Sequence, residues 1–279
     1  MNAADSGPAP CACAPASGST PCACASASGS PPCAHAPAYG PAPHTPAPVF
    51  DPPPSASAPA ETVVRALARV SVLGRFFRLP TGGPATGWHP VQESYDRGFA
   101  DLARAVADRH RTGEPRVGVS IAHLGHAARL WSPALACALL HGIVLDLISV
   151  QRADDGPGLR LARPSGWYAD QLPDPVAALG DQVAAPLRAF AAGLDIKVAP
   201  RLLDGNSGSA LAEAARALLA AHPERRAGLT ALAGELLARE PLAGTGRFTG
   251  PDLAFRRRSC CLYYRAPAGA KCGDCCLGG

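Results

Sequence analysis

An eleven-residue repeat of alanine, proline and cysteine near the start of the chain restricts where a folded domain can form. It reads PCACAPASGST from Pro10, PCACASASGSP from Pro21 and PCAHAPAYGPA from Pro32. Residues 1–60 hold 15 of the 30 prolines and only two charged side chains. Such a segment buries too little apolar surface to offset the entropy of its chain. We therefore predict a disordered low-complexity tail over residues 1–60, with the fold confined to the remainder.

Beyond the tail, hydrophobic periodicity predicts helices and a few short strands. The strands are predicted at residues 117–121, 145–151 and 159–162, with a hairpin turn at Asp154-Asp155-Gly156. The helices are predicted at residues 61–79, 92–111, 124–140, 175–192, 209–221 and 224–239. The predicted class is therefore α+β, a predominantly helical domain with a small antiparallel sheet. We expect this domain to cover residues 61–250 and a C-terminal module to cover residues 251–279.

Charge and hydropathy exclude two classes of partner. The net charge of +4 is too small for a dedicated nucleic-acid binder. The apolar run over residues 131–150 contains His141 and Asp146, and a carboxylate near a bilayer centre costs about 2.5–3.5 kcal/mol on insertion scales. That run is predicted to be a core element, without stable membrane insertion. The N-terminus lacks the basic and apolar regions of a secretory signal, so we expect a cytoplasmic protein with reduced cysteines.

Five cysteines crowd the last 20 residues of the chain. Cys260 and Cys261 are adjacent, ten residues intervene, Cys272 and Cys275 form a CxxC pair, and Cys276 follows. Structural cysteines are usually buried one at a time, as small apolar side chains. Thiols at this density indicate metal binding or redox chemistry.

Three chemistries compete for these thiols. A structural zinc ion needs four ligands around one point, and adjacent side chains diverge from a single point. A 2Fe-2S cluster has two metal positions and accepts adjacent cysteines more easily. A redox dithiol would require a helix after the CxxC pair, and the chain ends four residues after Cys275. The spacing favours an iron–sulfur cluster and leaves zinc and thiol redox chemistry as alternatives.

The segment RRRSCCLYYRAPAGAKCGDCCLGG resembles the C-terminal signature of FhuF-type ferric-siderophore reductases, Cys-Cys-x10-Cys-x2-Cys. Upstream, His123-Leu124-Gly125 with the ARLWSP stretch of residues 128–133 is similar to that family's "HLG…ARLWSP". The stretch GNSGSA of residues 205–210 is similar to its "GNxxSA". The resemblance covers residues 62–279. It implies a 2Fe-2S cluster held by Cys260, Cys261, Cys272 and Cys275.

Two positions depart from the family pattern. Cys276 adds a fifth thiol next to the fourth implied ligand, and it either exchanges with that ligand or stays a free thiol. Asp204 stands where the family typically has a large aromatic residue, usually Trp.

The resemblance also implies a function. A reductase of this kind passes one electron to a ferric siderophore and releases Fe(II) in the cytoplasm. The chain carries no flavin or nicotinamide signature, so we expect an external electron donor, a ferredoxin or a flavoprotein. The alternative is a zinc-stabilised module that contacts a protein or nucleic-acid partner.

Basic residues surround the cysteines in sequence. They would compensate the charge of an anionic cluster and dock an anionic ferric siderophore or an acidic donor. A solvated basic turn is the alternative interpretation. The residues concerned are Arg256, Arg257, Arg258, Arg265 and Lys271.

Three other sets of residues have simpler interpretations. Cys137 is predicted to be a buried core residue. His123 and His126 are predicted to be ordinary surface or core imidazoles rather than metal ligands. Asn206, with Ser207 and Ser209 beside it, is predicted to cap the start of a helix.

Overall fold

The computed structural model describes residues 52–277, and helices account for most of them. Residues 1–51 of the predicted tail lie outside the described residues. The seven α-helices of the described chain are α1 (Ala60–Val70), α2 (Val91–Asp96), α3 (Ala100–Arg109), α4 (Pro115–His141), α5 (Pro175–Ala192), α6 (Pro200–Ala221) and α7 (Arg226–Ala238).

Short antiparallel strands complete the fold. They are β1 (Trp88–Pro90), β2 (Ile143–Leu145), β3 (Val150–Ala153), β4 (Leu159–Leu161), β5 (Gly166–Tyr168), β6 (Gly246–Phe248) and β7 (Phe255–Arg257). The strand order is β1-β3-β4 in the largest sheet, while β2 pairs with β5 and β6 pairs with β7. The predicted turn at residues 154–156 does join β3 to β4. The α+β class, mainly helical with small antiparallel sheets, is confirmed.

Helix α4 forms the centre of the core and packs against α3, α5 and α6. Its buried residues fall on all sides, as expected for a helix surrounded by others. Pro115 occupies its first turn, where a missing N–H costs nothing, and Gly142 ends it with a left-handed φ of 62°. At Gly118 a Cβ atom would lie 2.4 Å from the carbonyl oxygen of Ala103, so this glycine permits the close approach of α3.

The strand predicted at residues 117–121 is wrong, because those residues form the first turns of α4. A short alternating run of β-branched residues does not by itself distinguish a strand from a buried helix. The helix predicted at residues 124–140 is the continuation of the same element. It runs through Pro133, which lies buried inside it.

The helix predicted at residues 92–111 is divided into α2 and α3. Gly98 and Phe99 both adopt positive φ values, 59° and 51°, and break the helix between them. A Cβ atom at Gly98 would lie 2.5 Å from the carbonyl oxygen of Gly193. The break therefore lets the end of α5 contact the backbone at this point.

Helix α6 begins at Pro200, nine residues earlier than predicted. Asn206, Ser207 and Ser209 therefore lie inside the helix, where all three are buried, and the capping interpretation is wrong. Cys137 is fully buried in the core, as predicted. Within residues 52–277, none of the helices combines the length and apolar character that crossing a bilayer requires.

Candidate metal centre

The C-terminal cysteines lie on a loop that follows β7 and folds back on itself. Leu262 takes a left-handed φ of 64°, and a short 3₁₀ turn, Tyr263–Arg265, reverses the chain. Gly269 closes the loop, since a Cβ atom there would lie 1.9 Å from the carbonyl oxygen of Tyr263. This path brings the sulfur atoms of Cys261 and Cys272 to 3.5 Å from each other.

The thiols influence one another electrostatically, which places them in one region. Burial raises the pKa of Cys260, and the neighbouring sulfurs of Cys261, Cys276 and Cys275 raise it further. Contact with Cys272 lowers the pKa of Cys261 to about 6, and the same contact raises the pKa of Cys272. The contact therefore favours the thiolate of Cys261, the form that binds metals, over that of Cys272.

Backbone amides donate to the sulfurs. The N–H of Leu262 lies 3.3 Å from the sulfur of Cys260, and the N–H of Leu277 lies 3.3 Å from that of Cys275. A backbone hydrogen bond from Tyr263 also helps to lower the pKa of Cys261, after the larger effect of Cys272. Such donors stabilise anionic sulfur and help to set the reduction potential of a thiolate-bound cluster.

A buried polar network connects this loop to the two central helices. The Arg257 side chain is buried, and its Nη2 donates to Oδ1 of Asn206 at 2.8 Å. Nδ2 of Asn206 donates to the carbonyl oxygen of Ser120 on α4 at 2.9 Å. The Ser120 hydroxyl in turn donates to the carbonyl oxygen of Cys261 at 2.8 Å. These three hydrogen bonds link β7, α6 and α4 to the backbone of Cys261, so the network fixes the Cys260–Cys261 turn.

Sequence reasoning missed the structural roles of Ser120 and Asn206. Ser120 lay in a predicted strand, and Asn206 was interpreted as a cap. The signal that could have identified Asn206 is the small, polar GNSGSA stretch, which resembles a family element. A polar residue buried in a helix requires a hydrogen-bond partner from another element.

Gly205, next to Asn206, allows the loop to reach α6. A Cβ atom there would lie 2.1 Å from Oγ of Ser259 and 3.0 Å from Nη2 of Arg257. Any larger residue would force the Ser259 side chain, just before the first cysteine pair, to move.

A cleft of about 470 Å³ opens beside the cysteine loop, between α4 and α6. Its walls are mostly apolar, and Cys272, Gly273 and Asp274 form one border. Arg257 also lines the cleft, and its Nε has no hydrogen-bond partner. A molecule bound in this cleft would lie next to Cys272, one of the implied cluster ligands.

The basic residues predicted to dock a partner do not share one environment. Arg257 is only 2% exposed and faces the interior network. The docking role predicted for it is therefore corrected: Arg257 belongs to the buried network. Arg265 is exposed and forms an ion pair with Glu114 at 2.7 Å. The residues that keep at least part of their surface exposed are Arg256, Arg258, Arg265 and Lys271.

The two histidines, His123 and His126, are buried in the core. Nε2 of His126 is 2.9 Å from the hydroxyl of Tyr95, and both imidazoles pack on Phe190. Burial, helped by the charge of Arg257, lowers the pKa of His123 to about 3. Both side chains are therefore neutral core imidazoles, one of the two environments predicted for them.

The donor set fits an iron–sulfur cluster in its chemistry. Within residues 52–277, no three Cys, His, Asp or Glu side chains converge on a single ion position. The sulfurs of Cys261 and Cys272 are in contact at 3.5 Å, and backbone N–H groups donate to the sulfurs of Cys260 and Cys275. An all-thiolate set that also offers hydrogen bonds to sulfur suits a cluster with two metal positions.

Comparison with known proteins agrees with this chemistry. The family model of the FhuF 2Fe-2S C-terminal domain matches residues 257–277, which include all five C-terminal cysteines. No curated protein matches the chain. The match decides between the chemistries that the spacing left open and confirms a 2Fe-2S cluster as the cofactor. Residues 257–277 are therefore similar to the FhuF 2Fe-2S C-terminal domain, and the predicted resemblance to the FhuF-type family is confirmed.

Proposed function

We propose that the protein is a ferric-siderophore reductase that delivers one electron to siderophore-bound Fe(III) and releases Fe(II) in the cytoplasm. The observation that carries the proposal is the position of Cys272, which belongs both to the matched domain and to the border of the 470 Å³ cleft. Siderophores hold Fe(III) through hard oxygen donors, and these donors bind Fe(II) far less tightly. A single electron therefore converts a stable complex into a labile one.

The 2Fe-2S cluster, when bound, supplies transfer of one electron at a time. The Ser120–Asn206–Arg257 network would hold the turn that carries Cys260 and Cys261, two of the four proposed ligands. The buried guanidinium of Arg257 offsets the negative charge of the thiolates, because a cation in a low-dielectric site acts strongly on its neighbours.

The cleft provides the place where substrate meets this domain. Its apolar walls fit the organic arm of a chelate, and its volume suits part of a siderophore rather than a whole one. Exposed cations near the loop, Arg258 and Lys271, would attract an anionic chelate or an acidic donor protein. We infer that the electrons come from such a donor, a ferredoxin or a flavoprotein.

A direct assay tests the proposal. Protein purified without oxygen is reduced with dithionite, freed of excess reductant and mixed with a panel of ferric siderophores in the presence of a ferrous chelator. We expect oxidation of the cluster and formation of the ferrous chelate, in a ratio of about one to one, because the cluster carries one electron. Failure to reduce any ferric siderophore would reject the proposed function.

A pair of substitutions tests the role of the cleft. Ala217 is an exposed residue of α6 that lines the cleft, and Ala227 is an exposed residue of α7 outside it. We expect Ala217→Trp to raise KM for the ferric siderophore at least several-fold, with an unchanged visible spectrum. Ala227→Trp should leave KM unchanged. Equal KM values for both variants and the natural protein would place the substrate elsewhere.

A further inference from the structure

A serine, a histidine and an aspartate form a hydrogen-bonded row outside the iron–sulfur domain. Nε2 of His89, on β1, lies 2.8 Å from Oγ of Ser94, on α2. Nδ1 of the same imidazole lies 2.6 Å from Oδ1 of Asp154, in the turn between β3 and β4. Serine on Nε2 and carboxylate on Nδ1 is the arrangement in which an imidazole can act as a general base towards a serine hydroxyl.

The fold brings these residues together from separate elements. His89 and Ser94 are five residues apart, across the junction of β1 and α2. The pairing of β1 with β3 places His89 opposite Arg152, and Asp154 follows two residues later. The backbone N–H of Asp154 donates to the carbonyl oxygen of Gly87, which holds the turn beside the imidazole.

A cation stands next to the serine. Nη1 of Arg152 lies 3.0 Å from Oγ of Ser94, and its Nη2 forms a 2.5 Å ion pair with Asp101. With Nη1 as a donor, the Ser94 oxygen keeps its own hydrogen for His89.

The row borders a cavity rather than the closed core. The cavity measures about 380 Å³ and is lined by all three residues together with Arg97 and Arg152. The His89 side chain is 22% exposed and that of Asp154 is 58% exposed. Solvent can reach both groups, so their hydrogen bonds are not needed to satisfy buried polar atoms. Ser94 lines the same cavity with only 4% of its surface exposed.

We propose that Ser94, His89 and Asp154 form a second reactive site, which hydrolyses small carboxylic esters by nucleophilic catalysis. Ser94 is the nucleophile, His89 the general base and acid, and Asp154 a positioning residue that orients the imidazole. The site is separate from the cysteine loop and does not depend on the proposed reductase function.

The chemistry balances with water as the only co-reactant. Oγ of Ser94 bonds to the carbonyl carbon while its proton passes to Nε2 of His89. The ester C–O bond then breaks, and the same proton goes to the leaving alkoxide, which departs as an alcohol. Water next gives a proton to His89 and its oxygen to the acyl carbon, so that the carboxylic acid leaves and the Ser94 hydroxyl is restored.

The first experiment is covalent labelling of the full-length holoprotein. A fluorophosphonate probe, which reacts with activated serines, is incubated with the protein, and the adduct is located by mass spectrometry. We expect one adduct per chain, on Ser94, and none in Ser94→Ala. An unlabelled Ser94, under conditions in which a known serine esterase reacts fully, would overturn the proposal.

The second experiment measures hydrolysis of p-nitrophenyl acetate. Ser94→Ala and His89→Ala should each lower kcat/KM by about 100-fold or more, and Asp154→Asn should lower kcat with KM nearly unchanged. His222, which pairs with Glu224 at 3.2 Å, supplies the matched control. His222→Ala should retain full esterase activity, and Ser165→Ala should retain full labelling.

Two readouts separate a reactive site from a purely structural one. The visible cluster spectrum and ferric-siderophore reduction should be the same in Ser94→Ala as in the natural protein, which shows that the fold is intact. Should Ser94→Ala fail to fold, the labelled residue in the natural protein still decides the matter. Esterase activity that persists in a folded Ser94→Ala variant would refute the assignment.

Discussion

Individual residues around the C-terminal sulfurs give the five thiols different environments. Cys261 and Cys275 are buried, whereas Cys260, Cys272 and Cys276 are partly exposed. Cys260 and Cys275 each receive a backbone N–H, from Leu262 and Leu277 respectively. Backbone N–H donors thus support two of the implied ligands, Cys260 and Cys275. Whether Cys276 is a ligand is decided by substitution.

The first prediction separates the ligands from the extra thiol. Cys272→Ser should abolish the visible absorption of the cluster, because serine oxygen is a much harder ligand than thiolate. Cys276→Ser should retain most of the absorption. Iron and acid-labile sulfide, measured on anaerobically purified protein, check both outcomes. Loss of the cluster in Cys276→Ser would make Cys276 a ligand in place of one of the four implied cysteines.

The second prediction concerns two adjacent arginines. Arg257 is buried beside the loop and Arg258 is exposed. Removing a buried cation destabilises the reduced, more anionic cluster more than the oxidised one, so Arg257→Gln should lower the reduction potential. We expect a fall of about 60 mV, the one-electron equivalent of ~1.4 kcal/mol.

Solvent screens the charge of Arg258, so Arg258→Gln should change the potential much less. Dye-mediated redox titration of both variants gives the comparison. Equal shifts in the two variants would show that Arg257 has no special influence on the cluster.

At the scale of elements, α6 connects the cysteine loop to the core. Asn206 bonds to Arg257 on one side and to Ser120 of α4 on the other. Gly205 has no side chain, which leaves room on α6 for the Ser259 side chain. The helix thus holds the loop through one polar side chain and one missing side chain.

The third prediction compares two helical glycines. Gly205→Ala should destabilise the protein by about 1–3 kcal/mol, because the new methyl group overlaps the Ser259 side chain, and it should weaken cluster retention. Gly234 in α7 has no atom within 4 Å of its Cβ position. Gly234→Ala should therefore stabilise the protein by about 0.5–1 kcal/mol.

Chemical denaturation and iron content check this pair. A Gly205→Ala variant with natural stability and a full cluster would show that α6 does not hold the loop as described.

At the scale of the whole molecule, burial of two imidazoles links stability to pH. Burial, together with the charge of Arg257, holds the pKa of His123 at about 3. Burial, together with His123 and nearby arginines, holds the pKa of His126 well below its ordinary value. In the unfolded chain, each imidazole binds a proton below pH ~6.5. In the folded chain, His123 stays neutral until the pH is near 3.

The fourth prediction follows from that difference. The buried neutral imidazoles contribute fully to the free energy of unfolding above pH ~6.5. This contribution decreases as the pH falls towards 3, by about 1.4 kcal/mol per pH unit for each imidazole. Urea denaturation at pH 7.5, 6.5 and 5.5, followed by tryptophan fluorescence, measures the slope. His123→Gln should reduce the slope by one proton, and His222→Gln should leave it unchanged. An unaltered slope in His123→Gln would show that His123 does not stay neutral in the fold.

The sequence by itself determined the features that depend on local order along the chain. Periodicity gave the helical class, turn residues gave the β3–β4 hairpin, and the cysteine spacing, with the family resemblance, gave the 2Fe-2S domain. These features could be predicted because side-chain period and ligand spacing are properties of consecutive residues.

Only the tertiary structure decided which polar residues meet across elements. It turned residues 117–121 into a buried helix, since surrounding helices override a local β preference. It buried Arg257 and joined it to Asn206 and Ser120, and it placed His89 between Ser94 and Asp154. Contacts between residues distant in sequence follow from packing as a whole, and no local pattern in the chain specifies them.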